Sequence, residues 1–148
     1  MRDKFRVRLY QPGDYAFVVP SEVHSGEGNI GERIERLNII PNNNIYTCLS
    51  GNRPIAIIGW TLLFPGVADL WSLVSEEIKK YGKSFYKFCM TLMEFGNYNL
   101  GIHRFQMTVR VGNKELIRWS EALHMKCEGL MEKFGPDKSD YFLFARVY

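Results

Sequence analysis

Residues 79–88 read KKYGKSFYKF: a glycine flanked on both sides by lysines, between an apolar stretch of strand character and an aromatic-rich stretch of helical spacing. Those residue types suit an anion. The first amide N–H groups of a helix lack intrahelical partners and lie at the positive end of its dipole, a glycine permits positive φ and close approach, and lysines add point charges. The dipole alone contributes about 0.3–1 kcal/mol at an exposed terminus, so amide hydrogen bonds must supply the rest. The plain alternative is a turn glycine in a solvated lysine run, and the residues by themselves leave the two readings open. The three cysteines, Cys48, Cys89 and Cys127, are an odd number at wide spacing, which predicts buried thiols rather than a disulfide framework or a zinc site, and no metal is expected. Phe85, Phe88 and Phe95 share a helical stripe with Cys89 and Leu92, so core packing is favoured over a base-stacking surface.

The elements that would position this cradle follow from the pattern along the chain. With 148 residues, 46% hydrophobic and 24% charged, the chain is long enough for one core, and neither disorder nor a membrane protein is indicated. The longest apolar stretch, from Pro54 to Pro65, is too short to span a bilayer, and no charged start precedes an apolar signal region, so a cytoplasmic or virion-associated protein is expected. Net charge is +3 and the basic residues form no long stripe, so no nucleic-acid partner is expected. Residues 5–10 alternate and end at Gln11-Pro12-Gly13, a strand and its turn. Residues 14–38 predict two short helices, the first interrupted by Pro20, and Pro41 with the asparagines at 42–44 breaks the pattern.

Three strands follow, at 45–49, 54–64 and 67–74, with a hairpin turn at Ser50-Gly51-Asn52-Arg53. A helix over 84–99, a strand over 103–111, a helix over 113–124 with Asn113 as its cap, and two last strands at 125–134 and 140–147 complete the order. The fold class is α/β, with about seven strands and four helices in one domain.

That order, with a glycine loop between the fourth strand and the third helix, resembles the GNAT acetyltransferase superfamily. The likeness rests on Lys79-Lys80-Tyr81-Gly82-Lys83-Ser84 in place of the family's [Q/R]-x-x-G-x-[G/A] loop, on the strand from His103 to Val111 running into Gly112-Asn113, on the helix from Lys114 to Met125, and on Glu128-Gly129-Leu130 with residues 140–145 as a closing hairpin. It covers about residues 53–148; residues 1–52 match only weakly, through Val7–Asp14. The resemblance implies a mixed, mostly antiparallel sheet that binds acetyl-CoA or another acyl-CoA. Pyrophosphate would lie on Lys79, Lys80, Tyr81, Gly82, Lys83 and Ser84, a backbone N–H among Leu73, Val74 and Ser75 would polarise the acyl carbonyl, and Asn113 would contact the cofactor.

Acyl transfer to an amine further needs a base and a proton for the departing thiolate. Asp69, Glu76 or Glu77 would be the base, with Tyr141 or Tyr148 reaching in from the last strand. Where active members carry a tyrosine as acid, this chain has Ser120, and His124 stands where the family has glycine. Two functional readings follow. In one, the chain is an acyl-CoA-dependent N-acyltransferase acting on an amine or protein acceptor, its choice of acceptor set by residues 14–44. In the other, it is a catalytically degenerate GNAT-like binding or assembly protein, resembling small phage proteins of which some look like virion components. An unpaired edge strand would allow a homo-oligomer.

Overall fold

The computed structural model describes residues 3–39 and 44–148, so the break expected at Pro41, Asn42 and Asn43 lies outside the described residues. Strand β1 (Phe5–Leu9) leads through two short 3-10 turns, Asp14–Phe17 and Glu22–His24, into helix α1 (Ile30–Asn38). Strands β2 (Asn44–Ser50), β3 (Arg53–Phe64) and β4 (Val67–Val74) follow, then a 3-10 turn (Glu76–Tyr81) continuous with helix α2 (Gly82–Leu100). Strand β5 (Arg104–Arg110), helix α3 (Lys114–Ala122), β6 (Lys126–Met131) and β7 (Tyr141–Val147) complete the order. The described residues hold three α-helices where about four were expected. Residues 14–29 carry no long apolar stripe, and Pro20 and the positive-φ Gly26 and Gly28 keep them in single turns.

The sheet runs β1-β2-β3-β4-β5-β7-β6, antiparallel throughout except where β4 meets β5. Alternation sorts its side chains between two cores. Ile57 and Leu73 pack with Ile34 of α1 on one face. Ile58, Trp60 and Leu70 pack with Phe85, Cys89 and Leu92 of α2 on the other, where Leu116 and Trp119 of α3 also dock. Phe95 does not join the stripe, remaining 45% exposed, and Cys127 is exposed rather than buried, because every β6 residue up to Leu130 is open to solvent. No helix among the described residues is long and apolar enough to cross a membrane.

The end of α3 explains one departure noted in the sequence. His124 follows the last turn with φ 64, the left-handed conformation that glycine adopts without strain. His124→Gly is expected to stabilise the protein by about 0.5–1 kcal/mol, read as a higher denaturant midpoint at unchanged slope; no change would mean that the imidazole makes a compensating contact.

Candidate functional site

Strands β4 and β5 pair at only three positions, Val67 with Arg104, Ala68 with Phe105 and Asp69 with Gln106, and then separate. A cavity of about 220 Å³ lies between the end of β4 and α3, lined by Ser72, Val74, Ile78, Gly82, Phe85 and Trp119. Its apolar wall includes the Phe85 and Trp119 rings, stacked with centroids 5.3 Å apart.

The backbone of β4 determines which amides face this cleft. Ser75 N–H donates to the Ile55 carbonyl at 3.0 Å, within the ladder to β3, and alternation turns the N–H of Leu73 to the same side. The expectation for Leu73, Val74 and Ser75 therefore narrows to Val74, together with Ser72 two residues earlier on the same side. Val74 is already engaged. Its N–H donates to His24 Nε2 at 2.8 Å and its carbonyl accepts the Ser21 N–H at 2.8 Å.

The segment 79–84 is not an open loop. Lys79, Lys80 and Tyr81 belong to the 3-10 turn, and Gly82 opens α2 in right-handed conformation (φ −50, ψ −44), so positive φ is not the reason for a glycine here. Packing is not the reason either, because a Cβ on Gly82 would meet nothing within 4 Å. Gly82, Lys83 and Ser84 are exposed at a helix start with no side-chain cap and no acidic residue in its first turn. Tyr81 points the other way, its buried hydroxyl donating to the Asp3 carbonyl at 2.7 Å and lying 2.7 Å from Ser50 Oγ. Lys79 is held by Glu76 at 2.7 Å and Glu115 at 3.3 Å, so its charge is largely balanced. Asn113 is likewise engaged: its Oδ1 caps α3 at the Leu116 N–H and its Nδ2 donates to the Val23 carbonyl at 3.1 Å.

A second cavity, of about 260 Å³, opens between α1, β4 and the β6–β7 loop. Asp69 and Tyr141 both line it, with His24, Glu27, Arg33 and Trp71. Burial raises the Asp69 pKa to about 6, against the opposing pull of Arg33. Burial also raises that of Tyr141, whose ring packs edge-on against Phe134. Ser72 and Leu116 line both cavities, so the two spaces meet at β4.

The remaining candidates lie elsewhere. The Glu76 carboxylate is lowered in pKa by Lys79 and sits on the outer side of the cleft, away from Asp69 and Tyr141. Glu77 pairs with Arg53, and Tyr148 donates to Glu94 at 3.2 Å. Ser120 is fully buried, its hydroxyl donating to the Leu116 carbonyl at 2.8 Å, and lines neither cavity, so it is no proton donor to the site. Sequence reasoning passed over His24 and Glu27, whose spacing is three residues but whose role depends on Val74, fifty positions away.

No family model matches the sequence, and no curated protein resembles it significantly. Solved structures do. Ard1 from Thermoplasma volcanium superposes with TM-score 0.81 at 16% identity, over 97% of each chain. A GNAT-family acetyltransferase from Bacillus anthracis gives TM-score 0.74 at 15% identity, over 99% of this chain and 98% of that one. Spermidine N-acetyltransferase from Vibrio cholerae, in complex with CoA and spermine, gives TM-score 0.71 at 12% identity, over 97% of this chain and 95% of that one. Across nearly its whole length, the chain has the GNAT acetyltransferase fold.

Proposed function

We propose that the chain is an acyl-CoA-dependent N-acyltransferase that moves an acetyl or similar small acyl group onto an amine. The observation that carries this reading is Gly82: neither backbone conformation nor packing calls for a glycine there, where alanine would suit the right-handed backbone and meet nothing. It lies at an uncapped helix start beside the cleft opened by β4 and β5, where a missing Cβ gives an anion access to backbone amides. The pyrophosphate would rest on the Gly82, Lys83 and Ser84 end of α2, and the acyl-bearing arm would run along β4. The acyl carbonyl would accept the Ser72 N–H where the two cavities meet, and the amine would approach through the second cavity. A solved structure of the same fold holds CoA and spermine.

In this reading the neutral amine nitrogen attacks the thioester carbon, forming the C–N bond. Asp69 takes the proton from the nitrogen, and the C–S bond breaks as the carbonyl re-forms. With Ser120 buried, the thiolate takes its proton from water, which suffices for a leaving group of thiol acidity, pKa about 8.5. Tyr141 forms part of the amine's pocket.

Calorimetric titration with acetyl-CoA and desulfo-CoA tests the reading. Micromolar binding, weakened about a hundredfold or more in Gly82→Glu by a carboxylate at the phosphate position, is expected. Lys79→Glu should have a smaller effect, since Glu76 and Glu115 already balance Lys79. No binding at millimolar ligand would remove the reading. The second reading, a binding or assembly domain without catalysis, is favoured by one observation: both backbone groups of Val74 facing the cleft are already satisfied from within the chain.

A further inference from the structure

The segment Ser21–Ser25 crosses the cleft and is bonded to both of its walls. On the β4 wall it holds Val74 at two points, Ser21 N–H to the carbonyl and His24 Nε2 to the N–H, each 2.8 Å. On the opposite wall, Asn113 Nδ2 donates to the Val23 carbonyl at 3.1 Å and Arg110 Nη1 to the Ser25 carbonyl at 2.8 Å. His24 is set for its contact: Nδ1 lies 2.9 Å from Glu27 Oε2, which places the ring proton on Nδ1 and leaves the Nε2 lone pair for Val74.

These partners overlap with the residues expected to serve a cofactor. Val74 and Asn113 each bond to this segment instead. An extended arm carrying amides would pair with β4 by donating to one carbonyl and accepting one N–H, as an added strand does, and Ser21 and His24 make that pair of contacts.

We propose that residues 21–25 are a strap that occupies the place of the acyl-CoA arm, and that acyl-CoA binds by displacing it. The proposal rests on the acyl-CoA reading above. The strap is built to open. Its buried groups are polar, Ser21 and the His24 ring, so hydrogen bonds rather than apolar contact hold it. Pro20 bounds one end and the positive-φ Gly26 and Gly28 the other. A protein whose binding-competent state is thinly populated shows an affinity reduced by that fraction, and weakening the closed state restores it.

His24→Ala removes the acceptor for the Val74 N–H, and Ser21→Pro removes the donor to its carbonyl. Desulfo-CoA titrated into each should bind about three- to tenfold tighter than to the parent, and about ten- to a hundredfold tighter in the double variant. His24→Gln, which keeps an acceptor, should stay near the parent value. Hydrogen exchange of the parent protein supplies a readout that needs no variant: desulfo-CoA should speed exchange at residues 21–25 while protecting Gly82–Ser84. Equal binding by parent and variants, with exchange at 21–25 unchanged, would overturn the strap and leave the acyl-CoA reading standing. Absence of binding in every protein, including the double variant, would overturn both.

Discussion

Asp14→Ala is expected to lower the unfolding free energy by about 3 kcal/mol, the low end of the range for breaking one side of a buried ion pair, because the Arg8 side chain keeps 30% of its surface in solvent. The carboxylate is 5% exposed and accepts from both Arg8 guanidinium nitrogens at 2.7 and 3.0 Å, from Thr47 Oγ1 at 2.6 Å and from the Gln11 N–H at 2.9 Å. Removing it leaves the fully buried Thr47 hydroxyl without an acceptor and Arg8 with only the Leu9 carbonyl, at 3.1 Å. The 3-10 turn at Asp14–Phe17 would lose its anchor to β1 and β2, and α1, which walls the second cavity, packs close to that turn. Burial alone would raise the Asp14 pKa, but Arg8, Thr47 and Gln11 outweigh it and hold it below its usual value. A depressed folded pKa gives stability that is present above the unfolded value near 3.8 and lost as pH falls through the folded one. Thermal unfolding of Asp14→Ala and Asp14→Asn at pH 7 should therefore show a fall of roughly 10 °C or more, narrowing below pH 4. A fall of only a degree or two would mean that Asp14 is already solvated.

Asp69→Asn should have opposite effects on stability and activity. The folded carboxyl has its pKa raised by burial to about 6 from 3.8, so the folded state holds the proton more tightly than the unfolded chain does. Stability from this group is fully present below about pH 4 and is lost as pH rises through 6. Asparagine avoids burying the charge, so the variant should be more stable above pH 6, by up to about 3 kcal/mol, with the gain vanishing near pH 4. Transfer from acetyl-CoA to a primary amine, followed by release of free thiol, should fall about 10²–10⁴-fold if Asp69 is the base. The parent's rate should show a step near pH 6 that the variant lacks. Full activity with no gain in stability would remove Asp69 from the mechanism.

The readable parts of the sequence were those in which local rules and the tertiary structure agree. Val67–Val74 appears as a strand with the bounds expected from the sequence, and Asn113 caps α3 as its position before Lys114 implies. Asp69 and Tyr141, seventy-two positions apart, line one cavity because β4, β5 and β7 are near neighbours in the sheet. What remained illegible is held by contacts across long separations. Residues 14–29 have no periodicity to read, and their placement depends on Val74, Arg110 and Asn113, up to ninety positions away. Lys79 fits a cofactor loop by type and Glu76 a base, whereas their charges engage each other and Glu115 once folded. By type Gly82 suggests positive φ; what sets it apart in the fold is the open space where its Cβ would be.

Whether acyl-CoA enters the cleft along β4 is tested by an amide NMR titration of 15N-labelled protein with acetyl-CoA. Saturable shifts are expected, concentrated at Ser72, Val74 and Gly82–Ser84, with Ser21 and His24 shifting as they leave β4. Shifts confined to the exposed lysines and abolished by moderate salt would contradict it, leaving the cleft as a closed structural seam.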